Sequence, residues 1–156
     1  MTDTMASLIA SHQLFEAMSS EATKLIAGCC HNVAFGMDDV LVAEGEEATT
    51  FYIIRRGHVA LEVHRPGKGP LTIETVGPGG VVGWSWLFPP YRWHLDARAL
   101  EPVGAIAIDG QCLRAKAEND PQFGYPLIKR FASVMLEHLM ATQLRLLDVY
   151  GDVDAR

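Results

Sequence analysis

Apolar positions along the chain follow three successive textures. Up to His31 they recur as on a helix. Leu8, Ile9, Leu14 and Phe15 lead into SSEATKLIAGCC, where Ser19 is placed to cap, Glu21 falls in the first turn and Gly28 offers a stop. From Asn32 the apolar runs shorten to VAF, VLVA, FYII, HVALEVH, LTIETV, VVGWSWLF, WHLDARAL and VGAIAI. Turn residues punctuate them every eight to twelve positions or so, which predicts about seven or eight strands in a sandwich or barrel. In WHLDARA, Trp93, Leu95, Ala97 and Ala99 fall on one face, and His94, Asp96 and Arg98 on the other. Val59, Leu61 and Val63 likewise share a face.

Helical texture returns at Asp109, a candidate cap for QCLRAKAE, and Asn119-Asp120-Pro121 breaks it. A long helix is predicted from Pro126 to Tyr150, about 25 residues and ~37 Å in length. That exceeds the width of a small β-roll, so part of it should project. It carries two apolar stripes. Ile128, Phe131, Met135, Leu139, Thr142 and Leu146 make one, close to an a/d seam, and Leu136, Met140, Leu144 and Leu147 make the other. One stripe can cover the roll. The other predicts a partner helix, most simply in a homodimer built through residues 126–150; a single broad stripe folded back on its own domain is the alternative. The expected organisation is one domain. It comprises a helical segment 1–31, a roll 32–109 with a loop-rich stretch 79–99, helices over 110–150 and a frayed tail 151–156.

Composition narrows the class. With 156 residues, 49% hydrophobic and 21% charged, the chain is ordinary globular material. It is not a disordered tail, a collagen or a coiled-coil rod. No apolar run approaches the ~20 residues of a membrane helix, so no membrane role is expected. The net charge of −6 lacks the basic field that dominates nucleic-acid affinity. Cys29, Cys30 and Cys112 cannot all pair, which suggests free thiols in a reducing compartment. The N-terminus lacks a basic start followed by an apolar core, so a cytoplasmic location is expected.

The order of elements and several motifs resemble the cyclic nucleotide-binding domain of the catabolite-activator superfamily over about residues 8–150. The family's F-x-x-G-x-x-I-x-x-x-G stretch is FGMDDVLVAEG, Phe35 to Gly45, with Asp38 in place of a turn glycine, a change that the left-handed region tolerates. Its FYII-x-x-G-x-V is FYIIRRGHV, Phe51 to Val59, and its turn before the ligand cassette is GPGGVVG, Gly77 to Gly83. The resemblance implies a mainly β fold: an eight-stranded jelly roll with an N-terminal helix and a long C-terminal helix.

The cassette departs from the family pattern. The family's Gly-Glu opens a short helix whose amides face a cyclic phosphate; the Glu accepts from the ribose hydroxyl and a later Arg pairs with the phosphate. Here Gly83, Trp84, Ser85 and Trp86 open the cassette, Trp84 stands in place of the Glu, and Trp93, flanked by Arg92 and His94, stands in place of the Arg. Indole offers one donor and no acceptor, so Trp84 cannot grip a ribose, although it can stack on a purine. Trp93 cannot supply the charge-assisted bond that Arg gives a phosphate. Arg92 can if the loop shifts by one residue, and His94 can add part of a charge. The amides after Gly83 still predict an anion cradle. The alternative is that Trp84, Trp86 and Trp93 fill the roll. Arg98 is expected on a solvated face beside an aspartate.

Thr142 is either an adenine contact or a polar interruption of a dimer seam. Cys29, Cys30 and His31 invite a haem or redox reading, but they fall short of the usual ligand sets. No His-x-His pair, Ser–His–Asp order or Walker loop is present, so no enzyme is expected. Five residues follow Gly151, too few for a recognition helix, so no direct DNA binding is expected. The expectation is a non-enzymatic sensor of a small anionic effector. The resemblance points to cyclic AMP, with signalling through the C-terminal helix to a downstream protein partner that the sequence leaves unidentified. A ligand-free interaction module with its cassette filled by tryptophan is the alternative, and a redox or haem sensor the distant one. No other cofactor is implied.

Overall fold

The computed structural model describes residues 4–154. Two short helices, α1 (Met5–Ser11) and α2 (Ser20–Ala27), flank a 3₁₀ turn at Gln13–Phe15. Ser19 caps α2 as expected, its side chain accepting from the Ala22 N–H, and Gly28 closes it. Eight strands follow: β1 (Cys30–Phe35), β2 (Val40–Val42), β3 (Thr50–Arg56), β4 (Val59–Arg65), β5 (Gly69–Val76), β6 (Val81–Val82), β7 (Asp96–Ala99) and β8 (Val103–Asp109). Helices α3 (Gly110–Asn119) and α4 (Pro121–Asp154) complete the chain. The mainly β jelly roll with flanking helices is therefore observed.

All pairings are antiparallel and build two four-stranded sheets, β1-β8-β3-β6 and β2-β7-β4-β5. Val59 pairs with Ala99 and Leu61 with Ala97, so the two apolar faces read from the alternation meet across one ladder. Four boundaries differ from the expectation. β1 begins inside the segment predicted as helical, because the β8 ladder extends to Cys30 opposite Ile108. β7 is shorter than WHLDARAL, since Trp93 bonds through its backbone to Gly45 and Glu46 in the preceding loop instead of to a neighbouring strand. α4 starts at Pro121, a residue suited to a first turn because it has no N–H to satisfy. Asp120 caps it, its carboxylate accepting from the Gln122 N–H and its carbonyl from Gly124. Pro126 is accommodated within the helix. α4 continues through Asp154, so the first four residues of the expected tail are helical and the last two lie outside the described residues.

The inward face of α4 is Phe123, Leu127, Phe131 and Val134, all buried. Of the stripe predicted to begin at Ile128, only Phe131 is fully buried, and Ile128 is 39% exposed. The start at Pro121 adds an inward turn and rotates the covering stripe onto the 123–127–131–134 set. At the other end Leu136, Leu139, Met140, Leu144, Leu146 and Leu147 are all more than half exposed. The helix therefore runs past the roll, as its length requires.

Cys29 and Cys112 form a disulfide, with Cα atoms 5.9 Å apart and a sequence separation of 83. This corrects the expectation of three free thiols and removes the cysteine argument for a reducing compartment. The count could not show the pairing because the sheet makes it. Asp109 N–H donates to the Cys29 carbonyl at 2.8 Å, and the Asp109 side chain caps α3 by accepting from Cys112 N–H at 3.0 Å. Cys30 remains free and donates to the Ile26 carbonyl; burial pushes its thiol up to about 12, so it is un-ionised at neutral pH.

Candidate functional site

The cassette is entered through the turn Gly77–Gly80. Gly79 takes φ +88°, its N–H donates to the Ile54 carbonyl, and Ile54 N–H donates to Gly80. β6 pairs briefly with β3, Tyr52 opposite Val82, and Gly83 at φ +104° then turns the chain away. The expected helix is a single 3₁₀ turn, Ser85–Leu87, with no side-chain cap. It is too short to gather a helix dipole.

Tryptophan closes the recess instead. A Cβ on Gly83 would lie 2.5 Å from Cη2 and 2.7 Å from Cζ3 of Trp93. The Trp93 ring therefore rests on the Gly83 backbone, where the family resemblance would put the phosphate, and it is buried. Trp86 is fully buried, stacked on Phe51 with centroids 4.6 Å apart at an angle of 8°, and Phe131 of α4 meets it edge-on at 5.2 Å. Trp84 turns toward α4, edge-on to Phe131 at 5.7 Å and to His138 at 6.1 Å. Such aromatic pairs add about 0.5–1.5 kcal/mol each beyond burial. The cassette, the roll and α4 are thus joined by one aromatic cluster.

The cations expected at an anion are engaged elsewhere. Residues 91–93 are held to the 45–48 loop by backbone bonds from Ala48 to Tyr91, Trp93 to Glu46 and Gly45 to Trp93. Arg92 consequently turns outward, donating Nη1 to the Gly45 carbonyl at 3.0 Å, and His94 is exposed beside it. Arg98 grips the buried Glu62 with two bonds, Nε to Oε1 at 3.1 Å and Nη2 to Oε2 at 3.2 Å, and donates Nη1 to Asp38 at 2.7 Å. The hydrogen bonds and charge of Glu62, with Asp38 behind them, raise the Arg98 pKa above its ordinary value. Its partners are therefore Glu62 and Asp38 and not Asp96 of its own strand face, which accepts from the Glu44 N–H at 2.7 Å; Asp38 sits at φ +70° in the position where the motif usually carries glycine. Thr142 is exposed and bonds back to the His138 carbonyl at 2.9 Å, away from the cassette. The structure therefore brings Gly83 and Trp93 together and aligns Trp84 and Trp86 on α4. It does not converge Arg92, His94 and Thr142 on a common point.

Two contributors escaped the sequence reading. Glu62 of β4 is charged yet only 6% exposed. Arg114 of α3 donates to the Trp86 carbonyl and lies 3.9 Å over the Tyr91 ring. Neither had a local signal, since each is defined by a residue distant in sequence. Of the haem ligand set, Cys29 is committed to the disulfide. Among the described residues no three His, Cys, Asp or Glu side chains group to hold a metal.

An antiparallel eight-stranded roll, a glycine turn that opens a short cassette, and a C-terminal helix packed back on that cassette together define a jelly-roll domain of the cyclic nucleotide-binding type. The model of the cyclic nucleotide-binding domain matches residues 32–120, and the chain belongs to that family. A structure solved as a candidate cyclic nucleotide-binding protein from Geobacter metallireducens GS-15 is 27% identical, with 89% of this chain and 99% of that chain aligned and a TM-score of 0.77. A cyclic nucleotide-binding-like protein from Brucella abortus is also 27% identical, with 74% and 99% of the two chains aligned and a TM-score of 0.60. The catabolite activator protein of Thermus thermophilus shares the fold at 20% identity and a TM-score of 0.69, over 86% of this chain and 61% of that one. No match is found among curated protein sequences. Among the described residues no helix is long and apolar enough to cross a membrane.

Proposed function

We propose that this chain is a non-enzymatic regulatory module that has exchanged nucleotide recognition for a permanently closed cassette and works by docking through α4. The observation that carries this reading is the Trp93 ring resting on Gly83, within 2.5 Å of where a side chain there would begin. A cyclic phosphate needs that space, and it needs a free cation beside it. Arg92 bonds to a backbone carbonyl, and Arg98 is held by Glu62 and Asp38. Of the readings open to the sequence, this geometry favours the tryptophan-filled module over the cyclic AMP sensor that the family resemblance implies.

Calorimetric titration with cyclic AMP and cyclic GMP tests it. No saturable heat is expected up to about 1 mM ligand, the range in which binding energy falls to roughly 4 kcal/mol. One site per chain with micromolar affinity would restore the nucleotide sensor and make Trp84 a purine-stacking residue.

The docking face is the stretch of α4 that runs beyond the roll, where Leu136, Met140, Leu144 and Leu147 are exposed at helical spacing. Its occupant is a second copy of the chain. Sedimentation equilibrium is expected to give a dimer, and the double variant Leu144→Glu, Leu147→Glu a monomer with an unchanged roll. A monomeric parent chain would remove the seam from the proposal.

A further inference from the structure

The outer side of the cassette borders a cavity of about 370 Å³. Trp86 and Leu87 form one wall, Leu113 of α3 the second, and Leu127 and Ile128 of α4 the third. The volume falls within the range of small-molecule sites, roughly 300–1,000 Å³. Gly124 makes the corner possible, because a Cβ there would meet the Ala117 carbonyl oxygen at 2.3 Å, so α3 and α4 approach closely and splay from that point.

Two donors belong to residues that line it. The indole Nε1 of fully buried Trp86 is the one buried side-chain polar atom without a hydrogen-bond partner among the described residues. Arg114, half-buried at the mouth, spends one N–H on the Trp86 carbonyl and makes no ion pair among the described residues. Glu118, one turn further along α3 and exposed at the rim, is not bonded to it. A positive charge at the edge of an apolar volume calls for an acceptor carrying negative charge on an apolar body.

We propose that this cavity binds a small apolar carboxylic acid, with its hydrocarbon against Leu113, Leu127 and Ile128 and its carboxylate on Arg114. The site does not depend on the outcome with cyclic nucleotides. Because its walls belong to the cassette, α3 and α4 at once, occupancy bears directly on the angle at which α4 leaves the roll.

Calorimetry on the full chain with decanoate, and with decan-1-ol as the uncharged counterpart, tests the proposal. Decanoate is expected to bind once per chain, with decanol weaker by about tenfold. Ala117→Phe, which fills the cavity, is expected to abolish decanoate binding, and Ile128→Trp does the same from α4 should the first variant fold poorly. Arg114→Gln is expected to weaken decanoate about tenfold and leave decanol unchanged. Absence of saturable heat with decanoate overturns the proposal. So does equal binding of the alcohol, or undiminished binding in a folded cavity-filling variant, which would place the ligand on the exposed face of α4.

Discussion

Trp93→Ala is expected to lower the melting temperature by about 10 °C. Truncating a buried Trp costs about 3–5 kcal/mol, and each kcal/mol shifts a domain of this size by about 2–4 °C. The loss is specific to the contact with Gly83, and a second substitution exposes that. Gly83→Ala alone is destabilising for two reasons: its methyl would meet the Trp93 ring at 2.5 Å, and φ +104° suits no side chain. In the double variant the ring is gone, so the steric part disappears while the backbone strain persists. The combined loss should therefore fall short of the sum by at least about 0.5 kcal/mol. Denaturant melts of the four proteins measure this directly, and strict additivity would mean that the indole does not seal the cassette.

Reducing the Cys29–Cys112 bridge is the other large perturbation. A disulfide that closes a loop of this length stabilises by about 4–5 kcal/mol in the chain-entropy account, against a typical total of only about 5–15 kcal/mol. Cys112→Ser is expected to lose that amount, and wild-type protein in dithiothreitol to lose the same. The variant itself should show no further loss in dithiothreitol, because Cys30 has no partner. Urea midpoints that coincide with and without reductant would show that the bridge contributes nothing. The bridge ties the end of α2 to the first turn of α3, the helix that also carries Arg114 to the Trp86 carbonyl. Reduction is therefore expected to loosen the cassette as well as the N-terminus.

Much of the architecture was readable because it depends on local periodicity. Ser19 and Asp109 cap helices in the structure as their positions suggested. Val59, Leu61, Ala97 and Ala99 alternate in sequence and meet across β4 and β7. Asp38 occupies a left-handed turn that a short polar side chain tolerates. Element ends were less legible. Trp93 has the alternation of a strand residue, yet its backbone bonds go to the Gly45–Glu46 loop.

The candidate site was legible as a position but not as an arrangement. That Trp84 and Trp93 replace a carboxylate and a guanidinium is a fact of composition, and it already removed the ribose and phosphate grips. Whether the indoles line a vacancy or fill one depends on contacts with Gly83, Phe51 and Phe131, residues 10, 35 and 45 positions from their partners at the least distant pairing of each. Periodicity carries no information at such range.

By itself, then, the order of residues determined the family, the roll of short strands, the helix caps and the loss of the nucleotide-binding side chains, since each rests on neighbours within one turn or one ladder. Only the tertiary structure decided that Trp93 rests on Gly83, that Arg98 is consumed by Glu62 and Asp38, that Cys29 reaches Cys112, and that α3 and α4 part beside Trp86 to leave a cavity. Those outcomes belong to sheet register and helix packing, which bring distant residues within contact distance and so choose among partners that the linear order leaves equivalent.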